Sequence, residues 1–119
     1  MIKQIGLVKE FHKKFNTPVL ESLSLIPEDR SLNRYKLMKD EVEEYKKGTE
    51  EKNIENIAKE LADVLYTVYG TILEHGLQDK MEAVFKEVHD SNMSKDYHEY
   101  KMIKGDNYFK ANISKTLKN

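Results

Sequence analysis

Ile54-Glu55-Asn56-Ile57-Ala58-Lys59-Glu60-Leu61-Ala62-Asp63-Val64-Leu65-Tyr66-Thr67-Val68-Tyr69-Gly70-Thr71-Ile72 decides the fold. Ile54, Ile57, Ala58, Leu61, Leu65, Val68 and Ile72 recur at three- and four-residue steps, the period of an α-helix with a dry face. With Val64 the apolar positions point in too many directions for one small bundle to cover. This helix is therefore expected at the centre of the subunit or across an interface between subunits. Gly76 is its expected stop.

Reading upstream, Leu32, Tyr35, Met38, Val42 and Tyr45 make the apolar stripe of a helix over 28–47. Glu28 and Asp29 suit its positive N-terminal end, and Gly48 is its expected stop. Ile5, Val8, Phe11 and Phe15 mark a first helix over 2–15, closed by Asn16-Thr17-Pro18, where proline biases its predecessor away from helix. Downstream, Asp79 and Glu82 read as a capping-box-like start for a fourth helix, with Met81, Val84, Phe85 and Val88 inward and an end near His89-Asp90-Ser91-Asn92. Nothing alternates as a strand. The expected fold is all-α, a four-helix-bundle type in a single domain over 1–119, with a core of about 2–95 and an irregular tail over 96–119. Gly105-Asp106-Asn107 marks a turn in that tail, and the last six residues are expected to fray.

Composition narrows the function. The chain has 119 residues, a charged fraction of 34% and a formal net charge of −1, so no global field favours DNA, RNA or an anionic membrane. The absence of cysteine removes disulfides, thiolate metal sites and thiol nucleophiles, leaving carboxylates, histidines and carbonyls as metal ligands. Met1 to Gly6 lacks the apolar run of a signal peptide, and no segment approaches the roughly 20 apolar residues of a membrane span, so a cytoplasmic location is expected.

Two acidic pairs stand out: Glu41/Glu44 in the second helix and Glu60/Asp63 in the third. Residues three apart on a helix are neighbours, about 5–6 Å at Cβ. Two such helices packed antiparallel would converge four carboxylates that repel unless a cation sits among them. Mg²⁺ is held by a few carboxylates with waters and substrate phosphates, so the arrangement suggests metal-assisted phosphoryl or nucleotidyl chemistry. The ordinary alternative is that, in a chain one-third charged, acids at helix margins are solvated or paired with lysine.

The words around these acids add to that reading. Leu37-Met38-Lys39-Asp40-Glu41-Val42-Glu43-Glu44-Tyr45 and Ala58-Lys59-Glu60-Leu61-Ala62-Asp63-Val64-Leu65-Tyr66 resemble the paired E-E-x-x-E and E-x-x-D motifs of the all-α nucleoside triphosphate pyrophosphohydrolases, the MazG-like superfamily. Phe11-His12-Lys13-Lys14-Phe15-Asn16-Thr17-Pro18, Val88-His89-Asp90-Ser91-Asn92-Met93-Ser94-Lys95 and Lys104-Gly105-Asp106-Asn107-Tyr108-Phe109 are similar to the further words of its phosphoribosyl-ATP pyrophosphohydrolase-like branch. In order, these words span nearly the whole chain. Asp40 stands where the first motif usually has glutamate, and Asp106 where the last word commonly has proline.

The resemblance implies a Mg²⁺-dependent enzyme, with Mn²⁺ as a substitute, that cleaves a (d)NTP between the α and β phosphates to a monophosphate and pyrophosphate. It implies Glu41, Glu44, Glu60 and Asp63 as metal ligands. Asp40 or Glu43, beside them, could orient or deprotonate the attacking water. Asn92 and Lys95, just past the fourth helix, could reach phosphate or sugar oxygens, with Lys104 and Tyr108 as weaker candidates of that kind. The partners expected are a nucleoside triphosphate and further copies of the chain, as a homodimer or dimer of dimers, with nucleotide-pool housekeeping as the role. A non-catalytic helical interaction module is the alternative. His12 reads first as a half-buried packing residue.

Overall fold

A computed structural model describes residues 1–118; Asn119 lies outside the described residues. The chain is all-α, with helices α1 (Ile2–Lys14), α2 (Glu28–Glu50), α3 (Ile54–Glu74), α4 (Met81–Met93) and α5 (Ile113–Lys118). It packs as two compact units, Met1–Gln78 with α1 to α3 and a second beginning at Asp79 with α4 and α5.

In the first unit α3 packs against both α2 and α1, the central place its apolar pattern predicts. Gly48 meets Asn56 and Ile57, while Arg34 bonds Thr67 and Thr71 and Arg30 bonds Glu74. Contacts that advance along α2 thus retreat along α3, so the two helices are antiparallel. Ile72 and Leu73 of α3 and Ile5 and Val8 of α1 are the buried hydrophobic residues.

The helix ends show how the sequence sets this geometry. α1 closes on Asn16 at φ 55°, with the Thr17 N–H donating to the His12 carbonyl at 2.8 Å. α3 closes on Gly76 at φ 67°, with Leu77 N–H donating to Ile72 and Gly76 N–H to Leu73, the paired bonds of a Schellman cap. Gly76 is also pressed against the Ser22 carbonyl, where a Cβ would collide with backbone. Asn53 starts α3, its side-chain carbonyl accepting from the N–H groups of Glu55 and Asn56 at 3.0 and 3.2 Å.

Several boundaries differ from the sequence reading. Gly48 does not stop α2: it is buried where the start of α3 packs, and the chain turns four residues later at Lys52, φ 56°. An interior glycine costs a helix only about 0.5–1 kcal/mol, which such packing offsets. Asp79 does not cap α4, since it lies in a turn and Lys80 occupies the N-cap with no side-chain capping bond. Phe85 and Val88, expected inward, are 60% and 39% exposed. The tail holds a helix where fraying was expected: Asn112 accepts from the Lys115 N–H at 3.1 Å and supplies the cap that starts α5. The apolar stripe of α2 is not the face it turns to α3, since Leu32, Tyr35 and Val42 stay about half exposed while Arg34 and Gly48 are buried.

Candidate metal centre

The antiparallel register of α2 and α3 sets Glu41 between the Arg34 and Gly48 contacts, opposite the first half of α3. Glu60 and Asp63, one turn apart, face it there. One carboxylate oxygen from each of Glu41, Glu60 and Asp63 lies within 4.8 Å of the others. The Glu60 side chain is mostly buried, 13% exposed, and those of Glu41 and Asp63 are half-buried. Burial, then the charges of Asp63 and Glu60, pushes the Glu41 carboxyl above the ordinary carboxylate value. The ammonium of Lys59 neutralises part of this charge, with Nζ 2.8 Å from Asp63 Oδ2 and 3.6 Å from Glu60 Oε1. Asp63 holds that ammonium above its ordinary value through the hydrogen bond and its charge.

Glu44, expected in the same set, is outside the group of three: its side chain is half exposed and pairs with Lys47 Nζ at 3.4 Å. Its charge still contributes to raising Glu41. Asp40 and Glu43 are exposed on α2. Glu43, two residues from Glu41, lies about 200° round the helix from it.

In the second unit Asn92 is exposed in the last turn of α4, and Lys95 is half-buried just beyond it. Lys104 Nζ sits 5.3 Å from the centre of the Tyr108 ring, a cation–π contact. Asp96 and Ile103 form a two-way antiparallel bridge at 2.9 and 3.0 Å that brings the segments before and after it together. Ser91 and Ser94 complete this arrangement, because Ser91 Oγ donates to the Phe109 carbonyl at 2.8 Å and Ser94 Oγ accepts the Phe109 N–H at 3.0 Å. The fourth-helix word and the glycine-containing tail word are thus laced by hydrogen bonds, a role for the two serines that the sequence reading missed.

A model of the phosphoribosyl-ATP pyrophosphohydrolase family matches residues 8–92. The chain belongs to this family. The family stands in the MazG-like all-α superfamily of NTP pyrophosphohydrolases and is metal-dependent, so the phosphoribosyl-ATP pyrophosphohydrolase relationship makes this protein a hydrolase of a phosphoanhydride bond. No curated protein matches the chain. The matched segment takes in all three clustered acids and closes at Asn92, leaving Lys95, Lys104 and Tyr108 beyond it. Among the described residues no helix is long and apolar enough to cross a membrane.

The donor set fits a hard divalent cation. Glu41, Glu60 and Asp63 offer oxygen only, and Mg²⁺ at about 2.0–2.1 Å from each ligand would hold oxygens at most about 4.2 Å apart. The three oxygens, all within 4.8 Å of one another, lie in the range that side-chain rotation can bring onto one such cation.

Proposed function

We propose that this phosphoribosyl-ATP pyrophosphohydrolase family member is a Mg²⁺-dependent nucleoside triphosphate pyrophosphohydrolase, which Mn²⁺ also supports, cleaving its substrate between the α and β phosphates to a monophosphate and pyrophosphate. The observation that carries this reading is the convergence of Glu41, Glu60 and Asp63 from two antiparallel helices. When bound, a divalent cation there supplies charge neutralisation for the polyphosphate and acidifies a coordinated water. Glu41, Glu60 and Asp63 hold the cation, and Glu44, one turn from Glu41, joins them by swinging off Lys47. Of Asp40 and Glu43, Asp40 orients the attacking water, because Glu43 stands about 200° round α2 from Glu41 and faces away from the clustered acids. Asn92, Lys95, Lys104 and Tyr108 are the second unit's own candidates for contact with phosphate or sugar. The enzyme works on free nucleotides in the cytoplasm as a homodimer or dimer of dimers, in nucleotide-pool housekeeping.

Phosphoribosyl-ATP itself is the second reading, favoured by the family match over residues 8–92. A panel of (d)NTPs and phosphoribosyl-ATP, assayed by pyrophosphate release with and without Mg²⁺, separates the two. Glu41→Gln and Glu60→Gln should each lower kcat/KM by at least about two orders of magnitude while leaving the helical circular dichroism unchanged. Full turnover in either variant removes the site, and no turnover of any member of the panel favours a non-catalytic interaction module.

A further inference from the structure

Lys59 is the cation that the acid cluster already possesses. It precedes Glu60 and lies one turn before Asp63, and its Nζ reaches both, at 3.6 and 2.8 Å. Glu41, the third member of the cluster, has no ion pair among the described residues. The Lys59 side chain is 68% exposed, so only its tip is engaged and its stem is free to swing into water. An exposed lysine–carboxylate pair is worth little and is given up easily. The oxygen Oδ2 that Lys59 grips belongs to a carboxylate that a divalent cation would need.

We propose that Lys59 is a displaceable internal counter-ion that occupies the acid cluster in the metal-free protein, competes with the divalent cation for Asp63 and Glu60, and so sets the metal affinity of the site. This inference rests on the metal-site reading of Glu41, Glu60 and Asp63 and adds to it a determinant of how tightly the metal is held. A compact, mobile ammonium suits the role. The planar guanidinium of an arginine would grip a carboxylate with two parallel bonds and be harder to displace.

The test is Mn²⁺ binding to the full chain without nucleotide, followed by calorimetry and by the paramagnetic resonance of free Mn²⁺. Lys59→Gln should bind Mn²⁺ about two- to fivefold more tightly than the natural protein, the scale of an exposed ion pair removed from competition. Lys59→Arg should bind it more weakly. The melting temperature of metal-free Lys59→Gln should fall, because three carboxylates lose their neutralising charge, while the metal-saturated melting temperatures should coincide. Equal or weaker Mn²⁺ binding by Lys59→Gln overturns the proposal. Glu60→Gln separates this failure from failure of the site: if it abolishes Mn²⁺ binding while Lys59→Gln leaves the affinity unchanged, the metal site stands and the role of Lys59 falls. If the natural protein binds no Mn²⁺, both fall together.

Discussion

His12 lies almost wholly out of water, 2% exposed, with Nδ1 at 3.0 Å from the Pro18 carbonyl. A carbonyl only accepts, so Nδ1 carries the proton and Nε2 of the neutral ring is bare, facing Gly70 and Arg34. The half-buried packing role read from the sequence is thus realised in a stronger form, with the ring fixing the bend at Pro18. Burial is the main cause holding the imidazole below its ordinary 6.5, opposed by the Pro18 bond and reinforced by Arg34. The folded protein therefore binds fewer protons here than the unfolded chain as pH drops below about 6.5. Stability should fall with acidification from that point down to the lowered folded value. His12→Gln should flatten this part of the curve in urea titrations between pH 7 and 5; an unchanged slope would show that other groups carry it.

At the scale of elements, α2 and α3 are joined by a polar core. The Glu74 carboxylate, 1% exposed, takes Arg30 Nε at 3.0 Å and Nη2 at 2.7 Å, with Arg34 Nη1 at 3.2 Å. Arg34, also buried, completes its bonds on the Thr71 hydroxyl and the Thr67 carbonyl. Gly70 leaves the room for it: a Cβ there would run into the guanidinium and the His12 ring. Glu74→Gln should destabilise the fold by about 3–5 kcal/mol, since it leaves a buried arginine uncompensated. Denaturant midpoints measure this, and a loss below about 1 kcal/mol would mean that water reaches the cluster. These residues show where sequence patterning is blind. The three-and-four rhythm of α3 and the i,i+3 acids were legible because they repeat with the helix. Arg30, Arg34 and Glu74 lie 40 and more positions apart across the pair and look like ordinary surface charges until α2 turns its charged face inward. That turn also displaced the expected stripe. The spacing showed Glu41, Glu60 and Asp63 as candidates because both helices run straight through them. It did not show Lys59 among them, since a lysine beside two acids looks like any solvated pair.

The whole molecule leaves much apolar surface uncovered. Leu32, Tyr35 and Val42 on α2 are each about half exposed, as are Leu61 and Leu65 on α3, while Ile54 is 74% exposed. Surface of this kind is what subunit interfaces bury. Sedimentation at micromolar concentration should show a species larger than the monomer, and Leu61→Lys with Val42→Lys should shift it toward one chain without loss of helix. A well-folded natural monomer at that concentration would refute the assembly. The acids of the centre lie on the same two helices, so a monomerising variant that kept full turnover would show that one chain holds a complete site.

The segment between α1 and α2 has no regular structure, yet its backbone is fastened to the end of α3. The Leu20 N–H donates to the Leu73 carbonyl and the Ser24 N–H to the His75 carbonyl, both at 3.0 Å, while Gln78 Nε2 donates to the Leu20 carbonyl at 2.7 Å. In solvent deuterium these two amides should exchange as slowly as the helices around them, opening only when the end of α3 opens. A protease should find no early cut between Pro18 and Ser24, and a residue inserted there would shift the Leu20 and Ser24 donors off their acceptors. For anyone placing a label or a fusion joint, this stretch behaves as fixed framework although most of its side chains are exposed, and the turn around Lys52, free of such ties to distant chain, is the better choice.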